Sequence, residues 1–226
     1  MMADRLVLRI AGVLSLLAVA AIVAAIVIRI GLGRDFGPED FSQSVILQQL
    51  YLAGPAVVQA ALLALIGPLL LLAAGLGWHR MLRDQGSHVT LGAILWYVGM
   101  VFLILQGAVE YSLMSFLPQA YVPAAELPLS TGLIAAGGTM SVAARTLAAI
   151  GDAVSFAGIL LLGVALWQMG GRWRILGAGG MGAVLLIWLG LASGELVFLR
   201  PVGQGIFLLW VAAMGVAMLR WKPAEG

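Results

Sequence analysis

Long runs of apolar residues, interrupted only by single polar side chains, alternate along this chain with short polar or basic segments. The first run, residues 10–29, supplies the roughly 20 apolar residues that an α-helix needs to cross a hydrocarbon layer about 30 Å thick. Runs at 45–78, 91–117, 140–169, 175–199 and 204–220 predict further spanning helices. The expected fold is all-α: residues 1–226 form a single polytopic membrane helix bundle with six transmembrane helices.

Glycines and prolines refine this pattern. Ala18-Val19-Ala20 has the small-residue form of a signal-peptidase site, but the apolar run continues to Arg29, which favours a retained signal anchor. Within that run Gly12, Ala18, Ala21 and Ala25 predict close helix packing. The 45–78 run exceeds one crossing. A break is expected at Gly54-Pro55, because proline donates no backbone hydrogen bond, and Pro68 permits a kink. Pro118, Pro123, Pro128, Gly132, Gly137 and Gly138 predict that residues 118–139 form no regular span, with 129–136 reduced to a short re-entrant or interfacial turn. Residues 31–44, with Asp35, Pro38, Glu39 and Asp40, read as an acidic surface loop. Residues 78–90 read as a basic connector with solvated His79 and His88, and 170–174 as a tight basic turn.

Composition agrees with the pattern. Hydrophobic residues make up 62% of the 226 and charged ones 10%, with a mean hydropathy of +1.08, beyond the range of ordinary water-soluble domains. The pI near 9.4 reflects a net charge of only +2. The cations stand at the ends of apolar runs and not in a cluster that could track phosphates, which argues against a nucleic acid partner. The lack of cysteine excludes disulfides, thiolate metal sites and cysteine nucleophiles. Six spans put both termini on one side, and Arg5, Arg9, Arg80, Arg83, Arg172, Arg174, Arg220 and Lys222 share it, leaving Arg29, Arg34, Arg145 and Arg200 on the other. Positive charge stays inside, so both termini are expected to be cytoplasmic, in a cell membrane of the bacterial inner type.

Ionisable side chains within the apolar runs carry the candidate chemistry. Each costs roughly 2.5–3.5 kcal/mol at the centre of a spanning helix, so each is expected to face a protein interior or an aqueous cavity and to have a partner. Arg145 and Asp152 are seven residues apart and nearly on one helix face, with Ser141 and Ser155 extending the stripe. Gln106 and Glu110 share a face at i, i+4, beside Tyr111, and Gln48 and Gln59 share one on the second segment. At 1.5 Å per residue Glu110 lies roughly 30 Å from the cytoplasmic start of its helix, and Glu195 a similar distance along the fifth. Arg145 and Asp152 fall about 6 and 17 Å below the outer end of the fourth. With Arg200 just above them, Gln48, Gln59, Gln106, Glu110, Tyr111, Arg145, Asp152 and Glu195 are expected to form one polar cluster in the outer half. Phe116, Phe156, Trp188, Phe198 and Phe207 fall at similar levels, and aromatic walls with a few convergent polar groups suit an amphiphile.

Familiar catalytic patterns are absent. Gly177-Ala178-Gly179-Gly180-Met181-Gly182 matches G-x-G-x-x-G, but it opens a membrane helix and follows no strand, so it reads as helix packing, as does Gly190-x-x-x-Gly194. Glu110 and Asp152 have no neighbouring histidine, and Arg145 beside them opposes a cation, so no metal is expected and no cofactor is implied. Three function classes remain. In the first, a non-enzymatic accessory subunit or binder of a lipid-like molecule has membrane lipids, a hydrophobic small molecule or a partner membrane subunit as its partners. The second is an intramembrane enzyme using Asp152 or Glu110 as general acid. A small transporter, the third, would call for an internal repeat that the hydropathy does not display.

Arg9-Ile10-Ala11-Gly12-Val13-Leu14, Gly151-Asp152-Ala153-Val154-Ser155-Phe156 through Gly163, and Arg174-Ile175-Leu176-Gly177 resemble a bacterial six-helix membrane family catalogued only as a domain of unknown function. The resemblance covers most of the chain in helix order and implies the architecture without a mechanism. In size and paired acids the chain also looks like small integral membrane terpene cyclases, which protonate an isoprenoid with a buried carboxyl group. That likeness implies an isoprenoid or lipid substrate for the enzyme class.

Overall fold

A computed structural model describes residues 2–32, 44–121 and 127–221, and among them there are helices and turns but no strand. Six of the helices are long and apolar enough to cross a membrane. Most of the acidic loop expected at 31–44 lies outside the described residues, as do Pro123 and Lys222.

Helix α1 (Met2–Gly31) is the first apolar run extended at both ends. The long second run divides where expected, into α2 (Ser44–Ala53) and α3 (Pro55–Leu82). Gly54 between them has φ +53°, which costs glycine little, and Pro55 takes the first position of α3, where a missing N–H goes unused. The basic connector is shorter than expected. A 3-10 turn, Arg83–Gln85, and Gly86 lead straight into α4 (Ser87–Ser115). His79 therefore sits in α3 and His88 in α4. Both are half-buried instead of solvated, and His88 Nε2 is buried without a hydrogen-bond partner.

The largest departure from the sequence reading is at residues 118–139. A short α5 (Leu117–Tyr121) is followed by α6 (Leu127–Gln168), a continuous helix of 42 residues. Pro118 and Pro128 each occupy the second position of a helix, where no backbone donor is required, so they start helices and do not interrupt them. Gly132, Gly137 and Gly138 lie inside α6, at a propensity cost of about 1 kcal/mol each, which did not end the helix. At 1.5 Å per residue α6 is about 63 Å long, roughly twice the hydrocarbon thickness. α7 (Gly171–Ala192) follows a turn in which Gly170 and Gly171 have φ +74° and +54°. It stops before the expected 199, because Ser193 is extended and Gly194–Leu196 forms a 3-10 turn; α8 (Leu199–Leu219) begins correspondingly early.

Two compact units emerge from the packing. Unit 1 comprises residues 1–19, 70–100 and 153–226, and unit 2 residues 20–69 and 101–152. Unit 1 is built on glycines that let backbones meet. A Cβ at Gly158 of α6 would lie 2.7 Å from the Gly92 carbonyl oxygen of α4, and one at Gly177 of α7 2.5 Å from that of Gly163 on α6. A Cβ at Gly12 of α1 would lie 2.7 Å from the Gly215 oxygen of α8. Other glycines make room for indoles: Gly75 faces the Trp96 ring and Gly180 the Trp210 ring. These rings meet around the fully buried Trp78, with centroids 4.8 Å away for Trp96 and 5.2 Å for Trp210, the latter edge-on. Trp96 Nε1 donates to the Leu71 carbonyl and Trp210 Nε1 to that of Leu176, while Trp78 Nε1 is buried without a partner. Unit 2 has its own core, in which Leu47 and Leu50 of α2, Val57 and Ala61 of α3, Leu113 and Met114 of α4, and Leu117 of α5 pack together. Leu133, Ile134 and Met140 of α6 close over it.

Candidate functional site in unit 2

Glu110, near the end of α4, is a buried carboxylate, 7% exposed. The i, i+4 spacing brings Gln106 onto the same face, as expected, and Gln106 Nε2 donates to Glu110 Oε1. The second oxygen has a partner that the sequence reading did not assign: Arg29 Nη2, from the last turn of α1, donates to Glu110 Oε2 at 3.3 Å. Both carboxylate oxygens thus accept from the chain's own donors. The Arg29 side chain is 24% exposed, yet its Nε is buried and has no acceptor among the described residues. The anionic side of the site is thus matched at both oxygens, while its cationic side keeps one unmatched donor. Tyr111, next to Glu110, is half-buried against the unit 2 core, so apolar surface borders the ion pair.

The sequence pattern leaves Arg29 outside the expected cluster because it stands at the end of an apolar run. A signal was nevertheless present. Arg29 lies about 30 Å along α1 from Arg9, and Glu110 about 35 Å along α4 from Ser87, which puts both at similar heights above the basic end of their helices.

The remaining expected site residues behave differently. Gln48 in α2 and Gln59 in α3 are exposed, as is Arg145 in α6, and Asp152 is half-buried. Along the polar stripe expected on α6, Ser141 and Ser155 are buried, and Ser141 Oγ donates to the Gly137 carbonyl of its own helix. Because α6 does not begin near residue 140, depths must be counted from its Gln168 end. Counted that way Asp152 is about 24 Å along and Arg145 about 35 Å, farther than the roughly 30 Å thickness of a hydrocarbon layer. In unit 1, Glu195 lies in the 3-10 turn after α7 and Arg200 in the first turn of α8, both exposed. Gly190 packs on the Arg200 backbone, whereas Gly194 is outside the helix, so the expected small-residue pair does not act as one. Phe156 and Phe207 join the aromatic cluster of unit 1, and Trp188 borders an apolar groove of about 450 Å³ on α7. Among the described residues no group of His, Asp and Glu is arranged to hold a metal ion.

No family model, no curated protein and no solved structure matches the chain.

Proposed function

We propose that this is a non-enzymatic multi-pass membrane protein that binds a lipid-like amphiphile at Arg29, with both termini in the cytoplasm. The reading rests on the asymmetry of the Arg29–Glu110–Gln106 site. Glu110 accepts at both oxygens from its own chain, the arrangement of an ion held in place and not of an acid presented to a substrate. Arg29 keeps a buried donor, Nε, without an acceptor among the described residues, and Leu32 and Tyr111, close to the pair in sequence, pack on the apolar core of unit 2. An amphiphile supplies both missing parts, an acceptor oxygen in its headgroup and a tail that lies along apolar helices. The family likeness is compatible with such a role, since it carries architecture only.

Lipid extracts of full-length protein purified in mild detergent are expected to contain an acceptor-bearing amphiphile, identified by mass spectrometry. The double variant Arg29→Gln with Glu110→Gln, which strands no ion, should fold and lose that amphiphile. Retention of the same lipids by a well-folded double variant would leave the site with a packing role alone. Topology is checked separately: a reporter fused after Gly226 should be cytoplasmic and one inserted near Pro123 external. The same side for both would refute the six-span arrangement.

A further inference from the structure

At one end of unit 1, where α6 and α8 end and α7 begins, arginines and tryptophans are interleaved. The Arg172 guanidinium lies over the Trp173 ring, 5.2 Å from its centroid, and Arg174 lies at the same distance over Trp167. Trp173 in turn packs against Trp221, just beyond α8, with ring centroids 5.4 Å apart, and Arg220 precedes Trp221. All three arginines are exposed, and among the described residues none has a carboxylate within ion-pair reach. Among the described residues, the acids of the same unit that lie near this end are already engaged, Asp4 by Arg80 and Asp84 by Arg83.

We infer that Arg172 and Arg220, flanking the Trp173–Trp221 pair, hold the phosphate of an anionic phospholipid. Stacking on an indole fixes a guanidinium by its face and leaves its edge N–H groups free, the geometry that grips a phosphate through paired hydrogen bonds. Indoles at the ends of spanning helices sit at headgroup level, which selects a lipid over a soluble phosphate. Uncompensated positive charge selects an anionic headgroup over a zwitterionic one. This site lies wholly in unit 1 and is independent of Arg29, although it shares the reading of the chain as membrane-spanning.

The test titrates full-length protein in detergent with phosphatidylglycerol, phosphatidylcholine or inorganic phosphate, counting retained lipid by native mass spectrometry and following the melting temperature. Wild-type protein should retain phosphatidylglycerol and be stabilised by it, with little effect from the other two. Arg172→Gln with Arg220→Gln should weaken retention roughly 30-fold, as expected for the loss of two cations near a lipid surface. Arg145→Gln with Arg200→Gln removes the same charge roughly 30 Å along α6 and α8 from this end and should change it far less. Equal loss in the two double variants would overturn the site in favour of a net-charge effect. Equal binding of phosphatidylcholine, or equal stabilisation by inorganic phosphate, would overturn the anionic-lipid assignment in wild-type protein alone, whether or not a variant folds.

Discussion

Replacing Arg29 by glutamine is expected to destabilise the protein by about 3–5 kcal/mol, the usual cost of leaving one member of a buried ion pair alone. The charge left behind is Glu110, 7% exposed and retaining only the Gln106 amide. Glu110→Gln should cost much less, about 1 kcal/mol, although it breaks the same pair. The charge it leaves is Arg29, whose side chain is 24% exposed and ends a helix, so its guanidinium can turn toward the headgroups on its long stem. The double variant should recover most of the loss, since neither charge remains to be stranded. Melting temperatures of the three variants in one detergent decide the matter. If the two single changes cost the same, the site is not asymmetric and the unmatched-donor argument for ligand binding loses its basis.

The second expected result compares two identical changes on one helix. Gly177→Ala would place a Cβ 2.5 Å from the Gly163 carbonyl oxygen and 2.8 Å from the Trp167 backbone nitrogen, both of which are backbone and cannot swing aside. Forcing α6 and α7 apart should cost about 1–3 kcal/mol. Gly182→Ala meets nothing within 4 Å, so only helix propensity changes, and it should be neutral or stabilise by up to about 1 kcal/mol. Both glycines belong to the run that matches G-x-G-x-x-G. If those glycines served a phosphate, Gly182 would be as sensitive as Gly177 in any functional assay; if they serve packing, only Gly177 is. Equal melting shifts would contradict the packing assignment.

The spanning helices were legible because a run of twenty apolar residues has one stable solution in a hydrocarbon layer. The break at Gly54-Pro55 was legible for a similar reason, since both residues restrict or free the backbone wherever they stand. Pro118 and Pro128 misled because proline carries opposite meanings in the first turn of a helix and in its interior, and composition does not say which applies. That ambiguity moved the start of α6 and with it every depth counted from there, including those of Arg145 and Asp152. In the site, the Gln106–Glu110 contact could be read from spacing because it is local. Its Arg29 partner could be placed at a similar height but not paired, since it lies 81 positions away and pairing at that separation is set by how α1 and α4 pack. The glycine contacts of unit 1 share this limit: Gly177 and Gly182 look alike in sequence, and only their neighbours tell them apart.

The meeting of Gly12 in α1 with Gly215 in α8 also sets a schedule. At about 5–20 residues per second, α8 emerges from the ribosome roughly 10–40 s after α1. Throughout that interval Gly12 of α1 and the Trp210 side of Trp78 lack their α8 partners. The α6–α7 pair is different, because the Gly163–Gly177 contact closes across a short connection and needs nothing made later. Unit 1 is therefore completed only when α8 arrives, although α1, α3 and α4 can meet through Ala11, Gly77, Trp78 and Trp96 well before it.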